Sequence, residues 1–224
     1  MGVIRDISER RQNEREMRLK LESKDLHIKE IHHRAKNNLQ VVSSILSLQG
    51  SCLEDDEARS VFRDCQTQVH SMTLIHEQIY HGTSREKVDV GAYLARLVEY
   101  LEEVYEAESR GIDLRIEAGT FSLTLEKAIP LSIVVTELVS NACKCMIPDG
   151  SEGRIDIRMS KKEALYRLEV RDDGIRQDNP SADASNPRTG LGTEIISALA
   201  QQLGGTLDRN DRDGTTVGLE FPAE

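Results

Sequence analysis

No apolar run in the 224 residues approaches the roughly 18–20 that a membrane-spanning helix needs, which excludes a transmembrane segment within this stretch. Basic charge is also short, with 29 lysines and arginines against 39 aspartates and glutamates, a net charge of −10. Gripping nucleic acid through its phosphates takes clustered Lys and Arg, so the balance argues against a dedicated nucleic-acid binder, although it does not forbid a nucleotide substrate. The four cysteines, at 52, 65, 143 and 145, form no CxxC pair, which argues against a zinc site. With no signal peptide they read as reduced thiols of a cytoplasmic protein. What is present, 38% hydrophobic and 30% charged residues, fits a globular chain of two modest domains.

From Ser8 to about Gln49 the sequence has neither Gly nor Pro. Alternate steps of four and three from Met17 meet Leu21, Lys24, Ile28, Ile31, Ala35, Asn38, Val42, Ile45 and Gln49, of which seven in ten are apolar. That spacing predicts a long helix with a heptad seam, polar in its middle, stopping near Gly50. Ala58, Val61, Cys65, Gln68, Met72, Ile75 and Ile79 repeat the spacing and predict a second helix closed by His81-Gly82. Joined by a short loop, the two make an antiparallel hairpin. A lone hairpin buries too little apolar surface to be stable, so a homodimer completing a four-helix bundle is expected.

After about Ser84 the pattern changes to that of an α/β sandwich, so the fold class is α+β: a helical-hairpin dimerisation domain followed by a layered domain. Helices are predicted over Val90–Glu108, Ile129–Met146 and Leu191–Leu203. Strands are predicted over Ile112–Ala118, Arg154–Ser160, Tyr166–Arg171 and Thr215–Phe221. Asp172 to Thr189, with Gly174, Pro180 and Pro187, reads as a functional lid or a disordered segment.

Three constellations could carry chemistry. The first, Glu30-Ile31-His32-His33-Arg34-Ala35-Lys36-Asn37-Asn38-Leu39, sets a polar cluster in the middle of a helix built on an apolar seam. An imidazole titrates near neutrality, so its neutral nitrogen can attack phosphorus without a strong base, and Arg34 and Lys36 could neutralise phosphate oxygens. A single His in such a place is more often a solvated surface residue. His70 and His76 are read that way. The second constellation is Glu137-Leu138-Val139-Ser140-Asn141-Ala142-Cys143-Lys144, where steps of four and three put Glu137, Asn141 and Lys144 on one face. An Asn carbonyl suits magnesium and Lys144 suits phosphate, but a plain solvated stripe fits the spacing equally well. The third is glycine-rich: Asp172-Asp173-Gly174, Gly190-Leu191-Gly192 opening a helix, Gly204-Gly205, and Asp213-Gly214-Thr215. Glycines ahead of a helix let backbone amides approach phosphate. Gly204-Gly205 fits a helix stop and Asp213-Gly214 a hairpin turn.

In this order the residues resemble a sensor histidine kinase, from about Lys24 to Pro222. His32 to Gln40, HHRAKNNLQ, is similar to the HHRxKNNLQ box of one subfamily. VHSMTLIHEQIY, Val69 to Tyr80, resembles that subfamily's second hairpin helix, and Glu137 to Lys144 resembles the ELVxNAxK box of gyrase-, heat-shock-protein-, kinase- and mismatch-repair-type (GHKL) ATP-binding domains. The HWE subfamily expects a His where Thr136 stands and a Trp, and this chain has no Trp. Gly2 to Arg10, GVIRDISER, looks like the exit of a PAS or LOV-like sensor running into a signalling helix.

The resemblance implies a linker over 1–23, a dimerisation and histidine phosphotransfer domain over 24–83, and an ATP-binding catalytic domain over 84–224. It implies ATP-dependent autophosphorylation and phosphoryl transfer to an aspartate of a response regulator. The resemblance implies His33 as the acceptor, since the stretch from His33 to Leu39 matches the family's HExRxPL box better than one from His32, with His32 the other candidate. Glu137 would polarise the reacting groups, Asn141 hold Mg, and Lys144 hold the phosphates. Asp172 would accept from the adenine amino group beside Thr215, while Gly174, Gly190, Leu191 and Gly192 frame the nucleotide and 173–189 form the lid. The chain departs from the DxGxG pattern at Arg176, whose bulk and charge differ from the expected Gly, and from an apolar position at Thr193. A degenerate module that binds or dephosphorylates a response regulator with weak ATP use is therefore the competing reading, and a serine kinase or plain ATPase the third.

Overall fold

The computed structural model describes residues 2–81, 87–145, 153–173, 187–211 and 214–223, with the side chains of 2–10, 22, 81, 145 and 187–191 left out of the description. Helix α1, Gly2–Ser51, runs 50 residues, about 75 Å at 1.5 Å per residue. Helix α2, Asp56–His81, returns antiparallel against it. The turn is built locally: Asp55 caps α2 by accepting from the amides of Glu57 at 3.3 Å and Ala58 at 3.0 Å. At its mouth a Cβ on Gly50 would lie 3.2 Å from the Phe62 Cβ, so the helices close where glycine leaves room.

The face α1 turns to α2 shares only Ile28 and Ala35 with the predicted heptad seam. Asp25, Ile28, His32, Ala35, Lys36, Leu39, Ser43, Leu46 and Gly50 are its buried or half-buried positions among the described side chains. The seam residues Met17, Leu21, Ile31, Val42 and Ile45 are exposed, Ile45 at 53%, and Leu48 beside them at 67%. An apolar stripe of this length is left open on the single hairpin.

Strand β1, Lys87–Asp89, leads into helix α3, Val90–Val104, capped by the Asp89 carboxylate accepting from the Ala92 amide at 3.0 Å. A short 3-10 turn, Glu108–Arg110, precedes strand β2, Ile112–Ala118; strand β3, Ser122–Thr124, pairs antiparallel with β1. Helix α4, Leu125–Cys145, is followed by strands β4, Gly153–Lys162, and β5, Leu165–Asp172. Helix α5, Pro187–Gln202, and strands β6, Thr206–Asn210, and β7, Thr215–Pro222, complete the chain.

The five-stranded sheet has the order β2-β4-β5-β7-β6, with β2 and β4 parallel and the other pairs antiparallel. Alternation sends Ile155, Ile157, Met159, Tyr166, Leu168, Val170, Leu219 and Phe221 into the core. The opposite face is laced with ion pairs, including Arg158 to Glu117 at 3.3 Å and Arg167 to Glu220 at 3.0 Å. This is the expected α/β sandwich. Leu74, Ile75 and Ile79 of α2 join the same buried cluster as Leu94, Leu97 and Leu101 of α3, so the hairpin and the sandwich share apolar packing. No helix among the described residues is long and apolar enough to cross a membrane.

Candidate active site

The two adjacent histidines of α1 meet different surroundings because successive helical residues point about 100° apart. His32 turns inward and is 7% exposed, with its Nδ1 3.0 Å from Nδ1 of His76 and ring centroids 5.3 Å apart. One ring must donate and the other accept, and burial pulls both imidazoles below the usual histidine range. His33 stands exposed, 3.4 Å from the Asn37 amide nitrogen through its Nδ1 and with its ring 5.9 Å from the ring of Tyr80. The cations expected to meet phosphate are engaged within the protein: Arg34 pairs with Glu30 at 2.7 Å and Lys36 with Glu77 at 2.8 Å.

The second part of the site lies between α4 and the sheet. Leu138, Asn141 and Ala142 of α4, Val170 and Asp172 of β5, Thr193, Ile196 and Ser197 of α5, and Thr215 and Val217 of β7 line a cleft of about 250 Å³. Leu207, Asp208 and Arg209 of β6 extend its wall. The Thr215 amide donates to Asp172 Oδ1 at 3.4 Å, which holds the carboxylate at the end of an apolar floor. An apolar cleft with a few convergent polar groups suits a planar heterocycle whose amino edge meets the carboxylate.

Glu137, Asn141 and Lys144 do share one face of α4, and that face meets two partners. Asn141 opens into the cleft. Glu137 is 8% exposed and accepts from the Gln68 side chain of α2. Burial pushes its carboxyl above the usual range, opposed by the Gln68 bond, with the Asp64 charge adding to the rise and Lys144 countering it. Lys144 Nζ lies 2.5 and 2.6 Å from the two carboxylate oxygens of Asp64, also on α2. A Cβ on Gly192 would come within 2.9 Å of Glu137 Oε2 and 3.6 Å of the Asn141 amide nitrogen, so glycine is what lets α5 approach that face.

Gly190, Leu191 and Gly192 lie inside the first turns of α5, not ahead of it, because the helix begins at Pro187. Gly174, Arg176 and most of the expected lid fall outside the described residues. Sequence reasoning missed Asp64 and Gln68. Gln68 left a signal as the polar member of the apolar seam in the second helix, whereas Asp64 left none. For magnesium, Asn141 offers an amide oxygen at the cleft with the Glu137 carboxylate on the same face of α4, and no group of three His, Cys, Asp or Glu ligands stands among the described residues. That set fits an ion that takes few protein ligands and completes its shell with phosphate and water.

His33 is not beside this cleft. Tyr80, its neighbour, and Gln68, which holds Glu137, are twelve residues apart on α2, about 18 Å along the axis.

Comparison with known proteins covers both parts. Residues 30–105 match the histidine kinase family, and residues 126–224 match the family of histidine kinase-, DNA gyrase B- and HSP90-like ATPases. The chain is 31% identical over 224 residues to the sensor histidine kinase PdtaS of Mycobacterium tuberculosis, covering 98% of this chain and 43% of that protein. It is 27% identical over 207 residues to the blue-light-activated histidine kinase 2 of Erythrobacter litoralis, covering 88% of this chain and 57% of that one. The chain thus spans about half the length of the curated relatives it matches. Among solved structures, the histidine kinase domain of the Erythrobacter litoralis EL346 blue-light-activated histidine kinase superposes with a TM-score of 0.62 at 26% identity, covering 89% of this chain and 92% of that domain.

Proposed function

The chain belongs to the histidine kinase family, and on that premise we propose that it phosphorylates His33 with ATP and passes the phosphoryl group to an aspartate of a response regulator. One observation supports this above the others: an exposed imidazole on a rigid helix and an apolar cleft ending in a carboxylate occur in the same chain. His32 is the poorer acceptor, since its Nδ1 is bonded to His76 and little of the ring is exposed.

In the proposed reaction the Asn37 side chain turns its amide oxygen to the Nδ1–H of neutral His33, Nε2 attacks the terminal phosphorus, the bond to the β–γ bridging oxygen breaks, and ADP leaves with that electron pair. The ring then loses its Nδ1 proton. Asp172 accepts from the adenine amino group, Val170, Leu138 and Val217 exclude water from the ring faces, and Lys144 meets the phosphates. Glu137 polarises the reacting groups. Magnesium bound at Asn141 would offset charge on the phosphate oxygens. Little covalent work falls to the protein, so positioning supplies most of the rate.

Several partners follow from the same reading. A second copy covers the exposed stripe from Met17 to Leu48 and makes the four-helix bundle. A PAS or LOV-like sensor lies upstream of a linker over 1–23, the phosphotransfer domain spans 24–83, and the catalytic domain 84–224. A cytoplasmic location suits a response-regulator partner.

The test is incubation of the dimer with terminally labelled ATP and magnesium. Acid-labile label is expected, retained in His32→Ala and lost in His33→Ala. Label surviving the double change refutes the reading, acid-stable label points to a serine kinase, and no nucleotide binding at all supports the degenerate module.

A further inference from the structure

Two of the groups that the proposed nucleotide site needs are held by the hairpin. Lys144 is gripped by both oxygens of Asp64, and Glu137 accepts from Gln68. Asp64 also lies 3.5 Å from the hydroxyls of Ser140 and Tyr105, so it is the hub of the contact. The grip sits at the end of the α2–sandwich contact nearer the hairpin turn. Leu74, Ile75 and Ile79, further along α2, hold the other end by apolar packing.

We propose that Asp64 and Gln68 form a clasp in which Asp64 competes with the triphosphate for Lys144 while Gln68 holds Glu137, so that nucleotide binding opens the contact between α2 and α4. The proposal rests on the reading of the cleft as an ATP site. Its physics is partner exchange. Asp64 offers Lys144 one negative charge, and a triphosphate offers several, so the ammonium changes partner when nucleotide arrives. The Lys144 ammonium, gripped by Asp64, shares a face of α4 with Glu137, and its charge offsets the repulsion between those two carboxylates. Once it turns to phosphate, those two charges face each other uncompensated and push α2 and α4 apart. The apolar end around Ile75 acts as the pivot. Opening frees Glu137 for the reacting groups and releases the catalytic face from a position about 18 Å below the acceptor's level.

The pair is partly exposed, with side chains 39% and 26% accessible, so the competition is modest. Asp64→Asn is expected to tighten magnesium-ATP binding about two- to fivefold in titration calorimetry, and Asp64→Glu to restore the original affinity. Unchanged or weaker binding in Asp64→Asn overturns the proposal, the latter meaning that Asp64 positions Lys144 for phosphate. Hydrogen exchange over residues 61–70 of α2 reads the clasp separately. It is expected to quicken in the Asp64→Asn, Gln68→Ala double variant without nucleotide, and in the unaltered chain when magnesium-ATP is added. No quickening in the double variant refutes the clasp. An unaltered chain that binds no nucleotide refutes the reading of the cleft, and the nucleotide-free comparison still judges the clasp on its own.

Discussion

Asp172 carries the sharpest prediction. It ends β5, its Oδ1 accepts from the Thr215 amide at 3.4 Å, and the cleft floor before it is made of Val170, Val217, Leu138, Ala142 and Ile196. In the proposed complex the same carboxylate accepts a second hydrogen from the adenine amino group. Replacement by Asn keeps the shape and replaces one acceptor oxygen with a donor. The Thr215 amide takes Oδ1 and adenine in the proposed complex takes Oδ2, so after the change one of these two donors meets an NH2. The loss is at least one hydrogen bond to a charged acceptor, about 1.5–3 kcal/mol, or roughly 10- to 150-fold in dissociation constant. The fold should hardly notice, because the lost backbone contact is long; nucleotide-free stability is expected to change by less than about 1 kcal/mol. Guanine offers a carbonyl where adenine offers its amino group, so the preference for ATP over GTP should shrink as ATP weakens. Calorimetric titration of both nucleotides into both proteins measures this. ATP affinity within about threefold of the unaltered chain, with the melting curve unmoved, would refute the placement of adenine at Asp172.

Two further outcomes follow from burial. His32, His70 and His76 have imidazoles held below the usual histidine range chiefly by burial. The unfolded chain therefore binds more protons below about pH 6.5, and stability should fall as pH drops through that region and hold above it. His70→Phe keeps a ring against Tyr100, 3.9 Å between centroids in the unaltered chain, and removes one titrating group, so its melting temperature should depend less on pH over the same interval. A dependence as steep as the original would rule out His70 as a contributor. On the open stripe of α1, Ile45→Glu puts a charge where a second copy is expected to pack, and light scattering should show the dimer dissociation constant raised at least about tenfold. A dimer unaffected by that charge would place the interface elsewhere.

The residues themselves determined what is local. A single helix brings Glu137, Asn141 and Lys144 to one face whatever surrounds it, and alternation along β4, β5 and β7 selects the core side of the sheet. The polar interruption from His32 to Asn38 was legible for the same reason, and it marks the turn proposed to carry the acceptor. Segments without periodicity were not legible: β6 exposes all five of its residues, and β1 and β3 are three residues each. Tertiary structure decided which side of α1 meets α2. The packed face mixes Ala35, Leu39 and Leu46 with His32, Lys36, Ser43 and Gly50, while Met17, Leu21, Ile31, Val42 and Ile45 of the neighbouring seam stay open. It decided that His32 is buried against His76 and that His33 is exposed, a difference of one position on a helix. It also brought Asp64 and Gln68 onto the 137–144 face across 80 and 69 residues of chain. Periodicity and propensity act over a few turns, whereas such contacts depend on how whole helices dock, and that is set by the sum of packing across the molecule.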